Sequence, residues 1–211
     1  TIVGEDGAMD KVGVKLDTEP TGNVVLNLSI SDTTEAIFVT AVDNDTGYPT
    51  STSTTTSLSY TTSNWMDSQI ITLQGVDDNV ADDNVSINAV LAIDVAATAD
   101  TNYDALGSVT VPVIVTDNDS AGFTLSDTDG NTRVYETGAT DRINIVLTSE
   151  PTNTVQFNVV SATTSEVTID TANITFNAGN WNTPQTISVR GVDDASADGN
   201  TTNTVTVSIN T

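Results

Sequence analysis

Gly75-Val76-Asp77-Asp78-Asn79-Val80-Ala81-Asp82-Asp83-Asn84 is the stretch on which the reading of this chain turns. An alternating apolar run precedes it and another follows, so it reads as an acidic loop between two β-strands. Asp77, Asp78 and Asp82 place three carboxylates within six residues. Charges of one sign that close repel each other unless a cation or full solvation relieves them. The stretch recurs as Gly191-Val192-Asp193-Asp194-Ala195-Ser196-Ala197-Asp198-Gly199-Asn200. A loop presented twice, each time between strands, points to a repeated β-module.

Working outward, the repeat extends over most of the chain. Glu5-Asp6-Gly7 pairs with Glu136-Thr137-Gly138, and Thr18-Glu19-Pro20-Thr21 with Ser149-Glu150-Pro151-Thr152, both 131 residues apart. Asn64-Trp65 pairs with Asn180-Trp181, and Gln69 with Gln185, at a spacing of 116. The difference of 15 residues places an insertion in the first copy at 43–57, a Thr/Ser-rich stretch with Gly47 and Pro49 that reads as a surface loop.

Period-two runs of β-branched residues mark the strands: Val12, Val14, Leu16; Leu26, Leu28, Ile30; Val109, Val111, Val113, Val115; Ile143, Ile145, Leu147; Val155, Phe157, Val159; and Val205, Val207, Ile209. No apolar period of helical length is present. The fold expected is all-β: two tandem antiparallel β-sandwich domains, at 1–119 and 120–211. The first is expected to lack an opening strand and the second a closing one. A neighbouring protomer could supply strands to such edges; an arbitrary cut in a longer protein accounts for them as well.

Composition narrows the function. Of the 211 residues, 29 are acidic and 5 basic, for a net charge of -24. Most of the acids are Asp, which suits turns and hard-cation loops. So few basic side chains argue against nucleic-acid or anionic-membrane binding. Cysteine and histidine are both absent, which removes disulfides, thiolate metal sites and the commonest general base. No apolar run is long enough to span a bilayer. The start at Thr1, with neither a signal peptide nor an initiator Met, suggests a processed or excised piece. High acidity also fits a salty habitat.

The Glu-x-Gly at Glu5 and Glu136, the Asn-Trp before a strand and the Gly-Val-Asp-Asp loop, in this order twice, resemble Calx-beta domains and the related tandem repeats of large secreted bacterial surface proteins. Thr116-Asp117-Asn118-Asp119-Ser120-Ala121-Gly122 is similar to the acidic triplet and Ala-Gly that join successive Calx-beta domains. The resemblance implies Ig-like sandwiches whose acidic loops gather at one end and bind calcium. It assigns as metal ligands Glu5, Asp77, Asp78, Asp82, Asp117 and Asp119 in the first copy. In the second it assigns Glu136, Asp193, Asp194 and Asp198. A middle-loop acid is also expected, for which Asp43 and Asp45 are candidates.

Calcium takes six to eight oxygens, so several loops must converge to hold it. The bland alternative is a set of solvated Asx-turns. Asp127-Thr128-Asp129-Gly130-Asn131 begins like an EF-hand loop, but Thr132 stands where glycine is required, so it reads as a turn. Trp65 and Trp181 read as packing anchors in preference to sugar-stacking platforms. No histidine and no Gly-x-Ser-x-Gly elbow support the serines, so catalysis is not expected. Three roles remain. The first is a calcium-stiffened spacer of an extracellular bacterial surface or adhesin protein, partnered by neighbouring repeats. The second is a self-assembling fibre or surface-layer subunit that exchanges strands between copies. The third is a module that binds a glycan or protein through 43–57.

Overall fold

Alternation fixes which face of each strand is buried. In β3 (Val24–Ile30), Val24, Leu26, Leu28 and Ile30 are buried, while Asn27 and Ser29 are exposed. The same logic runs through a computed structural model that describes residues 1–42, 49–197 and 199–210. It is almost wholly β and forms two compact units: Thr1–Asp78 with Asp82–Asn118, and Asn79–Ala81 with Asp119–Thr211.

The first unit adds β1 (Ile2–Gly4), β2 (Met9–Val14), β4 (Ala36–Val42), β5 (Pro49–Ser53), β6 (Thr55–Tyr60), β7 (Gln69–Gly75), β8 (Val85–Ile93) and β9 (Val109–Thr116). One sheet runs β1-β9-β8-β3-β6 and the other β2-β7-β4-β5. They enclose a core to which the first sheet gives Leu28, Tyr60, Val113 and Val115, and the second gives Phe38, Ile71 and Leu73. Each such side chain contributes about 1.5–3 kcal/mol by leaving water. Ile2–Gly4 is a three-residue edge strand that pairs parallel with β9, whereas β8–β9 and, in the other sheet, β2–β7 are antiparallel. Pro112 lies in β9 opposite Asn88 of β8, two residues before Ile114, whose N–H reaches Thr1 O on the β1 side.

The Tyr60 hydroxyl ties the sheets together by donating to Val14 O at 2.5 Å. Tyr60→Phe should keep the ring in place and leave that carbonyl without its partner. We expect a loss of about 1 kcal/mol in urea denaturation.

The stretch expected to be a surface loop at 43–57 is corrected by the structure. Pro49–Ser53 is strand β5, paired antiparallel with β4, and Thr55–Ser57 begins β6 opposite β3. Thr and Ser marked a loop by composition, but Thr is β-branched and sits well on an exposed edge strand. Residues 43–48 lie outside the described residues.

The second unit holds β10 (Phe123–Asp127), β11 (Thr140–Leu147), β12 (Val155–Ser161), β13 (Val167–Ile169), β14 (Asn173–Phe176), β15 (Gln185–Gly191) and β16 (Val205–Ile209). Its sheets run β10-β11-β15-β13 and β14-β12-β16. Ile145, Ile187 and Val189 face Phe157, Val159 and Phe176 across its core. Phe157 meets both Phe123 and Phe176 edge-on, with ring centroids 4.9 and 6.1 Å apart.

The repeated motifs have matching structural jobs. Asn64 Nδ2 and Gln69 Nε2 both donate to Ser59 O, and Asn180 Nδ2 and Gln185 Nε2 both donate to Thr175 O. Trp65 and Trp181 pack against their cores, and their carbonyls accept from Leu16 N and Leu147 N. Gly7 and Gly138 turn the chain with φ of +88° and +82°. Gly75 lies under the Gly4 main chain and Gly191 under that of Tyr135, so close that neither site has room for a Cβ.

Candidate metal centre

Glu5 follows the short strand β1, and its backbone N–H donates to Thr116 O at the end of β9. That places its side chain inside the rim of the first sandwich, where the residue is only 3% exposed. The main-chain N–H of Asn118 donates to its carboxylate. The other oxygen, Oε2, is buried without a hydrogen-bond partner. Among the described residues one other side-chain atom shares that condition, Asp104 Oδ1 in the single helical turn α1 (Thr101–Asp104). A buried carboxylate oxygen with no donor is costly, and either a proton or a bound cation relieves it.

The surroundings of Glu5 are acidic. Burial, then the charge of Asp78, push its carboxyl up to about 7; Asp117 and Asp82 add to this, and the Asn118 hydrogen bond opposes it. Burial, then Asp78 and Asp117, raise Asp82. Asp117 is half-buried and organises the loop: its Oδ2 accepts from Asp82 N at 3.1 Å and Asp83 N at 3.0 Å, and its own N–H donates to Asn84 Oδ1. Asp83 takes a φ of +69°, which turns the loop back over β9. Asn118 Nδ2 reaches Asp77 Oδ1 at 3.3 Å.

Glu35 belongs to this acidic group and was not among the expected ligands. It is half-buried beside β4, and burial, then Asp82, Asp32 and Asp78, raise its carboxyl. Its carbonyl accepts from Val76 N, which fastens it to the Gly-Val-Asp-Asp loop. A signal was present: Glu35 recurs as Glu166 at the 131-residue spacing, and Glu166 O accepts from Val192 N in the same way.

The first unit therefore brings Glu5, Asp78, Asp82 and Asp117 into one electrostatic group, with Asp77 beside it. Asp119 falls in the second unit. There, Glu136, Asp193 and Asp194 are all exposed, and Asp194 Oδ1 accepts from Ser196 N at 2.7 Å, as in an ordinary Asx-turn. Asp198, Asp43 and Asp45 lie outside the described residues. The second unit does gather Asp127, Asp129 and Asp141, whose oxygens lie within 4.8 Å of one another. Local donors already serve two of them. Asp127 accepts from Thr132 Oγ1, Asp129 N and Gly130 N, and Asp141 accepts from Arg133 N and Arg142 N. That arrangement is the turn expected from the sequence.

No family model and no curated protein matches this chain. Solved structures similar to it include the calcium binding domain CBD12 of CALX1.1. That match has 16% identity and a TM-score of 0.36, and covers 89% of this chain and 71% of that one. CBD12 from CALX1.2 follows at 14% identity and 0.33, covering 92% and 73%. A third is the CsuC-CsuE chaperone-tip adhesion subunit pre-assembly complex from archaic chaperone-usher Csu pili of Acinetobacter baumannii. Its identity is 8% and its TM-score 0.32, with 99% and 96% covered. Among the described residues, no helix is long and apolar enough to cross a membrane.

Proposed function

We propose that this chain is a non-catalytic structural module whose first unit binds calcium through Glu5, Glu35, Asp78, Asp82 and Asp117, and that it works as a stiffened spacer of an extracellular surface or adhesive protein. The observation that carries the metal reading is Glu5 Oε2, buried without a partner amid carboxylates. The donor set is all oxygen, which suits calcium; magnesium is rarely held by an all-protein cage. Calcium there would supply the positive charge that the rim lacks and would tie strand β1, the 77–83 loop and the end of β9 to one point. Spacing along a surface protein rests on the repeat itself and on the absence of histidine and of a nucleophile elbow.

Binding is tested by calorimetric titration of calcium into chelator-stripped protein at constant ionic strength. We expect saturable binding that Glu5→Gln weakens by about tenfold or more, since the variant removes the one fully buried ligand charge. Unchanged affinity in Glu5→Gln would show that calcium only screens the net negative charge.

A further inference from the structure

Three hydrogen bonds join the 82–84 stretch to the residue that follows β9. Asp117 Oδ2 accepts from Asp82 N at 3.1 Å and from Asp83 N at 3.0 Å, and Asp117 N donates to Asn84 Oδ1 at 3.1 Å. Each side thus serves a backbone N–H of the other, as the two halves of a capping box do. The asparagine oxygen has to face Asp117, because a main-chain N–H only donates. The residues on either side of Asp117 are fastened to Glu5. Thr116 O accepts from Glu5 N, and Asn118 N donates to the Glu5 carboxylate. Whatever holds Asp117 against 82–84 therefore also sets where Asp82 lies relative to the buried Glu5.

The three bonds differ in what a cation does to them. Two use the Asp117 carboxylate, whose electron density a bound cation would share. The third uses the neutral Asn84 amide, for which the cation does not compete. The loop needs such a hold. Asp82 and Asp83 stand side by side, and Asp82 also feels Asp78 and Asp117. Like charges that close push apart. Asp83 takes a φ of +69°, outside the range most side chains adopt, where the repeat has Gly199 with a φ of +75°. Opening the loop would relieve both the repulsion and the backbone strain.

We propose that Asn84 is a positioning residue of the calcium site: it holds the 82–84 loop against Asp117 before the cation arrives, so that calcium meets an assembled set of carboxylates. This rests on the calcium reading above and names a residue that tunes affinity without touching the metal. Asn84 Oδ1 is taken by Asp117 N, so Asn84 is not a ligand. A site already in its bound form spares calcium the ordering of the loop. Without Asn84 the loop opens in the free chain, and the cation must close it against the repulsion.

The test compares wild type, Asn84→Ala and Asn84→Asp, each as the full chain. Calcium is titrated calorimetrically at constant ionic strength, and amide hydrogen exchange is followed in chelator. In the wild type the Asp82, Asp83 and Asp117 amides should be protected without calcium. Asn84→Ala should remove that protection, leave the core amides of Leu28 and Leu73 as they were, and weaken calcium binding about fivefold, as one lost hydrogen bond does. Asn84→Asp keeps an acceptor for Asp117 N and should restore both protection and affinity. The proposal is overturned if Asn84→Ala binds as tightly as wild type, or if the three amides exchange freely in the wild type. It is also overturned if Leu28 and Leu73 lose protection in step with affinity, since the bond is then merely structural. Affinity restored by Asn84→Asp without protection overturns it too, because the added charge alone then accounts for the change. A wild type that takes up no calcium is a different failure: it removes the metal reading itself, and the role of Asn84 with it, whatever the exchange shows.

Discussion

Gly75→Ala should destabilise the first unit by about 3 kcal/mol, near the upper end for overpacking. The added Cβ would lie 2.5 Å from Gly4 O and 2.6 Å from Gly4 C, and backbone atoms cannot rotate aside. Gly13 makes a useful contrast. Its Cβ would also come within 2.5 Å of another atom, but that atom is Ser68 Oγ, the end of a flexible side chain. Gly107 has nothing within 4 Å, so Gly107→Ala should be close to neutral. Gly191→Ala should repeat the large loss in the second unit, because there the Tyr135 main chain crosses. Urea denaturation of the variants gives the comparison. A Gly75→Ala variant as stable as wild type would mean that β1 does not lie against β7 in solution. Since Gly4 leads directly into Glu5, the variant should bind calcium less well too.

The second large effect is thermal, and its sign changes with the metal. At a calcium concentration about 100 times Kd, binding adds about 2.7 kcal/mol. That corresponds to a rise of about 10 °C in the Tm of the first unit. Trp181→Phe leaves Trp65 as the single indole to report on it. In chelator, the Glu5 carboxyl sits at about 7 in the folded chain against 4.5 for the free group. The folded state therefore holds the extra proton between those values, and stability falls as pH rises from about 4.5 to 7. Glu35 and Asp82 shift in the same direction. With calcium the ligands must be deprotonated, so the stabilisation should be small near pH 5 and complete above pH 7. Glu5→Gln should flatten both profiles. A calcium shift that is equal at pH 5 and pH 8 would remove Glu5 from the site.

The all-β class was readable because alternation is local. Val24, Leu26, Leu28 and Ile30 declare a half-buried strand without reference to anything distant. What escaped the sequence depended on long-range placement or on composition that pointed the wrong way. The Thr/Ser-rich run at 49–53 carries no apolar face, since an edge strand exposed on both faces needs none, and so it read as loop. The four-residue helix at Thr101–Asp104 is too short for a period, and its order comes from Thr18 and Thr21, some 80 residues away. Glu5 and the Asp77–Asp82 run were conspicuous as acids, but that Glu5 is buried while Glu136 is exposed depends on what packs over each. Glu35 was hidden in plain view beside Asp32, and comparison with Glu166 was the clue.

Pro112 bears on what can pair with β9. Residues of β9 alternate in the direction their amides point, and Ile114 N points toward the β1 side. Pro112 shares that parity, so the position just beyond β1 offers no N–H to an incoming strand. Ile114 is exposed on the outer face of this strand. Pro112 thus removes one backbone donor from β9, which weakens the pairing of any strand at that point.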